Sequence, residues 1–92
     1  MGPTAATFRR STHQVSCKIH EEVAILHTER AIYFGLQGVG AWIWDALEQP
    51  RSVADLCASI EAEFDVSPDE CQNDVVQILT NLREEGLVDV VE

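Results

Sequence analysis

Positive charge is scarce in this chain. Six Lys and Arg stand against 16 Asp and Glu, a formal net charge of −10. A surface of that sign repels nucleic-acid phosphates and anionic membranes and attracts basic partners. Cysteine is also sparse. Cys17, Cys57 and Cys71 are odd in number, so a monomer leaves at least one unpaired, and no two form C-x-x-C. Reduced thiols in a cytoplasmic protein are the expectation, not a disulfide framework. No apolar run is long enough to span a bilayer, and no secretory h-region is visible. Repeats and low-complexity segments are absent as well.

What is present is a small globular composition. The 92 residues are 46% hydrophobic and 24% charged, ordinary for one folded domain. A chain of this size buries roughly 60–65% of its unfolded surface. That suffices for one core, but not for a core plus a deep active-site cavity, and it favours a binding module or a subunit over an independent enzyme.

Residues 1–13 (MGPTAATFRRSTH) have no apolar period and are expected to be a flexible tail, with the domain spanning 14–92. Strands are predicted over 15–19 and 22–28, where Val23, Ile25 and His27 share one face, and over 31–36 (AIYFGL). A first helix over about 38–48 has Val39, Trp42, Ile43 and Ala46 as its apolar stripe, with Leu47 at the margin and Trp44 further round. A second starts at Ser52, with Asp55 as an acidic capping-box partner, and aligns Val53, Leu56, Cys57, Ile60 and Phe64. A third starts with Ser67 as N-cap, Pro68 at the first position and Glu70 completing the box; Cys71, Val75, Ile78 and Leu82 form its stripe, with Val76 and Leu79 beside it. Gly86 suits a left-handed position past its end, and LVDVV can add a terminal strand. The expected fold is α+β and winged helix-turn-helix-like: a three-stranded antiparallel sheet packed on three helices.

Candidate chemistry is thin. Gly35, Gly38 and Gly40 sit between a strand and a helix, where a phosphate loop would lie. Their spacing, G-x-x-G-x-G, matches neither nucleotide fingerprint, and no Lys follows. A sharp turn and close helix–strand packing explain them better. Cys17-x-x-His20 lacks a second close-spaced pair for zinc, and Cys57 and Cys71 fall on apolar stripes, where thiols act as inert filler. No carboxylate pair is placed for acid–base work. No catalytic residue, metal or cofactor is assigned. The helix-turn-helix invites a DNA reading, yet its second helix carries Asp69, Glu70, Asp74, Glu84 and Glu85 against Arg83 alone. Phosphate contacts need cations, which argues against it. A small transcription regulator and an accessory subunit that binds no peptide remain the alternatives.

The third strand is the remaining candidate. AIYFGL contains no proline and no charge, so at a sheet edge it would offer an open template for a guest strand. Affinity would come from the main chain of Ala31, Ile32, Tyr33, Phe34, Gly35 and Leu36. On the third helix, Val75, Val76, Ile78 and Leu79 would complete the pockets, with Asp74 and Arg83 alongside. Ile32 and Phe34 are expected to face the groove, and a one-residue slip would exchange Tyr33 for Phe34. The acidic balance predicts a guest with Lys or Arg near its docking segment.

The motifs Tyr33-Phe34-x-Leu36-Gln37-x-x-Gly40-x-x-Ile43-Trp44-x-x-Leu47, Ser52-Val53-x-x-Leu56, Phe64-Asp65-Val66, Asp74-Val75 and Leu79-x-x-Leu82-x-x-x-Gly86-Leu87 run in order over most of the chain. In that order and spacing the chain resembles the PqqD-like family of RiPP recognition elements. Trp44 and the start of the second helix look most like the stand-alone recognition proteins of lasso-peptide clusters. Gln37 departs from the Asn common in the family. The resemblance implies a leader peptide added as a strand along the third strand, in a groove with the third helix. It also implies delivery of the precursor to a leader peptidase and an ATP-dependent cyclase, with no catalytic residues in this chain.

Overall fold

The structure, a computed structural model, describes residues 6–91. In order these form β1 (Thr7–Arg10), β2 (Gln14–Ile19), β3 (Glu22–His27), β4 (Ile32–Leu36), α1 (Val39–Ala46), β5 (Arg51–Ser52), α2 (Val53–Glu63), α3 (Pro68–Glu84) and β6 (Val88–Val91). The antiparallel meander β2-β3-β4 is the sheet expected from the sequence. A second three-stranded sheet, β5-β1-β6, accompanies it. The fold is α+β with three helices, as predicted, but it has two small sheets instead of one.

The second sheet corrects the reading of residues 1–13 as a tail. Residues 1–5 lie outside the described residues, but 7–10 are a strand. β1 pairs with β6 from Thr7 opposite Val91 to Arg10 opposite Val88, and with β5 through Thr7–Ser52 and Phe8–Arg51. The domain therefore begins before residue 14. TFRR shows no local period because its stabilisation is long-range: Phe8 enters the core, and the ladder is completed by the far end of the chain.

In the meander, Val23, Ile25 and His27 all point inward and are buried, as alternation in a half-buried strand requires. On β4, Ile32, Phe34 and Leu36 are half-buried, while Tyr33 and Gly35 are exposed on the opposite face. Phe34, not Tyr33, is thus on the helix side.

The helix boundaries follow their caps. Ser52 and Asp55 form a complete capping box on α2: Ser52 Oγ accepts from Asp55 N, and Asp55 Oδ2 accepts from Ser52 N. On α3, Ser67 Oγ accepts from Glu70 N; among the described residues only this half of the expected box forms. α3 ends in a Schellman turn. Leu87 N donates to Leu82 O, Gly86 N donates to Arg83 O, and Gly86 holds φ +78°. The glycines before α1 make a joint. Gly38, at φ +57°, turns the chain, and a Cβ on Gly40 would lie 3.4 Å from the Leu36 side chain, so glycine lets helix and strand approach.

Two helix faces differ from the expected stripes. In α1 the buried aromatic is Trp44, together with Ile43 and Leu47, whereas Trp42 is half-buried and meets Phe64 edge-on at 6.3 Å. Phe64 itself lies just past the end of α2 and is exposed. α1 is apolar almost all round, so its sequence does not say which side faces the core. In α3 the core residues are Cys71, Val75, Leu79 and Leu82, and Ile78 is only half-buried. Ile78 and Leu79 flank the stripe on opposite sides, about 100° apart, and the position of the sheet selects Leu79.

Cys57 and Cys71 face each other in the core between α2 and α3, with the Cys71 thiol 3.9 Å from the Cys57 carbonyl oxygen. Burial, then the adjoining Cys71 thiol and the Glu61 carboxylate, push the Cys57 thiol up to about 11. It stays protonated at neutral pH and is a poor nucleophile. A disulfide-exchange reagent should therefore label Cys17, which is exposed, in the native protein, and reach Cys57 and Cys71 only in denaturant. Rapid native labelling of either buried thiol would contradict the packing. Trp44→Ala should cost about 3–5 kcal/mol in a urea titration, with a smaller loss for Trp42→Ala; the reverse order would put the wrong indole in the core.

Candidate functional site: the free edge of β4 and its groove

Two features converge beside β4. Among the described residues it pairs with β3 alone, so the N–H and C=O groups of its outer edge are open to another strand. A groove of about 370 Å³ lies next to it, between β4 and the C-terminal half of α3. Phe34 and Leu36 line it from the strand, Ile78 and Leu82 from the helix, and Asn81, Glu84 and Glu85 supply its polar wall.

The groove is held open at one end by a set of short contacts. The buried His27 turns its Nδ1 to the β3–β4 turn and accepts from Glu29 N at 3.3 Å and Arg30 N at 3.2 Å. Ala31 then takes the left-handed conformation, φ +54°, and donates its N–H to His27 O. The other side of the same imidazole meets Gly86. A Cβ there would lie 3.0 Å from His27 Nε2 at a backbone φ of +78°, so glycine suits both the close approach to the ring and the left-handed turn. Arg30 closes the clamp by donating to Glu85 O at 3.1 Å, with its guanidinium 3.7 Å from Glu85 Oε1. The start of β4 and the end of α3 are thereby fixed relative to each other.

The charge on the helix wall is negative. Glu85 is met by Arg30, but Glu84 has no cation within salt-bridge distance among the described residues. An apolar floor with an acidic wall suits a guest that carries a large apolar side chain next to a Lys or Arg.

The expected site residues divide into three groups. Phe34, Leu36 and Ile78 line the groove. Ala31 lies in the turn before β4, Ile32 is half-buried on the inner face, and Tyr33 and Gly35 lie on the outer face, where only their main chain reaches the edge. Val75 and Leu79, expected in the pockets, are fully buried in the core and do not line the groove. Val76 packs against the core margin, and neither it, Asp74 nor Arg83 lines the cavity. Sequence reasoning missed Asn81, Leu82, Glu84 and Glu85 as wall residues. Ile78, Asn81, Leu82 and Glu85 fall at i, i+3, i+4 and i+7, one continuous helix face. That face becomes visible once Ile78 instead of Leu79 is placed outside the core.

Among the described residues no three His, Cys, Asp or Glu side chains converge where they could hold a metal ion. No helix there is long and apolar enough to cross a membrane.

This architecture has known counterparts. Residues 22–88 match the family of coenzyme PQQ synthesis protein D, PqqD. Among solved structures, TbiB1 in complex with the TbiA(beta) leader peptide is 32% identical, with a TM-score of 0.84 over 88% of this chain and 94% of that one. A lasso peptide synthetase B1 complexed with the leader peptide is 21% identical, with a TM-score of 0.78 over 89% of this chain and 96% of that one, a likeness of fold. A comparison with curated proteins finds no match. The matched segment runs from β3 through β4 and all three helices to the start of β6, it includes the two elements that wall the groove, β4 and α3, and the chain belongs to the PqqD family.

Proposed function

We propose that this protein binds the leader segment of a ribosomally made precursor peptide, of the lasso class, and presents it to the enzymes that modify it. The observation that carries the reading is the coincidence of a free strand edge with an apolar groove along it. The leader complex of the similar TbiB1 supports it. The guest strand lies along β4. Its main chain bonds to the open edge, each bond contributing about 0.5–1.5 kcal/mol net. Alternate guest side chains enter the groove between Phe34 and Leu36 on one wall and Ile78 and Leu82 on the other. Main-chain pairing supplies sequence-independent affinity, and the groove selects which side chains are accepted. Glu84 and the acids around it draw in a basic leader. The protein contributes no chemical step. Its partners are the leader peptidase and an ATP-dependent cyclase, which act on the peptide it holds.

A fluorescently labelled leader of the cognate precursor, titrated with the protein, should show saturable binding that weakens as salt rises. Absence of saturable binding would remove the function while leaving the fold standing. Ile78→Arg should lose about 2 kcal/mol, roughly thirtyfold in affinity, with its melting temperature nearly unchanged because Ile78 is outside the core. Leu79→Arg, in contrast, should unfold the domain. If Leu79→Arg folds normally and alone loses the leader, the groove has been placed on the wrong side of α3.

A further inference from the structure

The meander has a second open edge. β2 lies on the side of the sheet opposite β4 and, among the described residues, pairs with β3 alone. No turn or loop among them bonds to the main chain of 14–19. β2 is six residues long, against five in β4, and its sequence QVSCKI has no proline. An edge of that length is a template for another strand unless something blocks it. A lysine on the edge is one such block, but Asp45 of α1 draws the Lys18 ammonium to the helix side, at 2.8 Å. Beside this edge, as beside β4, lies a cleft between strand and helix, here of about 300 Å³. α1 lends it Ala41, Trp42 and Asp45, the β2–β3 turn lends Glu21, and the end of α2 lends Phe64. Each open edge of the sheet thus has its own cleft, one against α3 and the other against α1.

Aromatic rings and acids set the chemistry of the second cleft. Trp42 is half-buried, Phe64 is 37% exposed, and the two rings meet edge-on at 6.3 Å. Among the described residues the one cation over an aromatic ring is Arg10, on Trp44, so neither Trp42 nor Phe64 has one. Glu21 has no cation within salt-bridge distance among those residues. Glu63 and Asp65 flank Phe64 in the chain, and both are exposed. Lys18, the one basic residue of the cleft, is matched with Asp45. An arginine or lysine from outside fits this site, its stem against the rings and its charge over a ring face and beside Glu21. A second copy of the chain would bring a further net charge of −10, whereas a basic segment of a different protein is complementary. Position separates this occupant from the leader. The edges of β2 and β4 are two strand spacings apart, roughly 10 Å, so the β2 edge is open whether or not a leader lies on β4. The leader peptidase has to reach the leader itself, at β4. The cyclase acts on the part of the precursor beyond the leader, and a hold on β2 leaves the leader undisturbed. We propose that the β2 edge and the Trp42–Phe64 cleft bind an extended segment of the cyclase, added as a strand on β2 with an arginine or lysine side chain in the cleft. The identity of this partner rests on the leader-binding reading above. Its consequence is that the cyclase binds loaded and empty protein alike.

The test uses wild type, Glu21→Lys and Phe64→Ala, each titrated with the labelled leader and then, loaded and empty, with the purified cyclase. All three should bind leader within about threefold, since both positions lie off the β4 groove. Wild type should bind the cyclase with equal affinity, within about twofold, loaded or empty, and each variant should lose about tenfold. Glu21 is an exposed turn residue, so Glu21→Lys carries the test if Phe64→Ala loosens the fold. Hydrogen exchange on the wild-type complex should show new protection of the outward amides of 14–19. Variants that bind the cyclase like wild type, no cyclase binding, binding to the loaded protein alone, or protection gained at 32–36 instead of 14–19 each overturn the inference. Peptidase binding that the same two substitutions abolish, with none of the cyclase, gives the edge to the other enzyme and overturns it too. Self-association of wild type in sedimentation, abolished by Glu21→Lys, assigns the edge to a second copy with the same result. If wild type binds no leader, the leader reading fails by itself, and the empty protein decides the edge: cyclase binding lost in Glu21→Lys retains the site, and no cyclase binding removes it.

Discussion

The burial of Trp44 is the constraint from which the rest of the fold takes its arrangement. The indole is almost fully enclosed, and its N–H donates to Ser16 Oγ on β2 at 3.1 Å. Leaving that donor unpaired in the core would cost about 1–3 kcal/mol. Over the ring, 4.8 Å from its centre, lies the guanidinium of Arg10 from β1, which also donates to the Trp44 carbonyl. One residue of α1 therefore ties a strand of each sheet. Both sheets are near the lower size limit for stability, so neither sets its own position. Trp44 and Arg10 link them through the helix.

His27 has the equivalent role for the groove. Its ring satisfies two main-chain donors of the β3–β4 turn on one side and takes the close approach of Gly86 on the other. The end of α3 comes close to the end of β3 here because Gly86 has no side chain to meet the imidazole edge. The open strand edge and the apolar groove are useful together because this clamp keeps them side by side.

β4 serves two surfaces because a strand alternates. Phe34 and Leu36 look into the groove, while Tyr33 and Gly35 look outward onto the apolar face shared with Val15 and Leu26. A small domain with one core buries only a modest share of its surface, and what this one presents to a partner is an open strand edge with a groove beside it. The acidic surface adds long-range attraction for basic segments and disfavours self-association through the same apolar face.

Much of this was legible from residues alone. The alternation in EVAILHT, the Ser52–Asp55 box, Pro68 behind Ser67, and Gly86 at φ +78° all appear where local chemistry puts them, because caps, turns and period-two strands are set by near neighbours. The composition and the acidic α3 already argued against nucleic acid, and the charge-free AIYFGL already read as a strand able to take a guest if it lay at an edge. Other features were decided by tertiary structure. β1 exists only because β6 pairs with it from the opposite end of the chain. Trp44 is chosen over Trp42 because α1 is apolar on most sides and the Ser16 hydroxyl and Arg10 wait on one of them. Leu79 enters the core and Ile78 the groove because the sheet covers one shoulder of the α3 stripe, a choice that periodicity along a single helix does not contain.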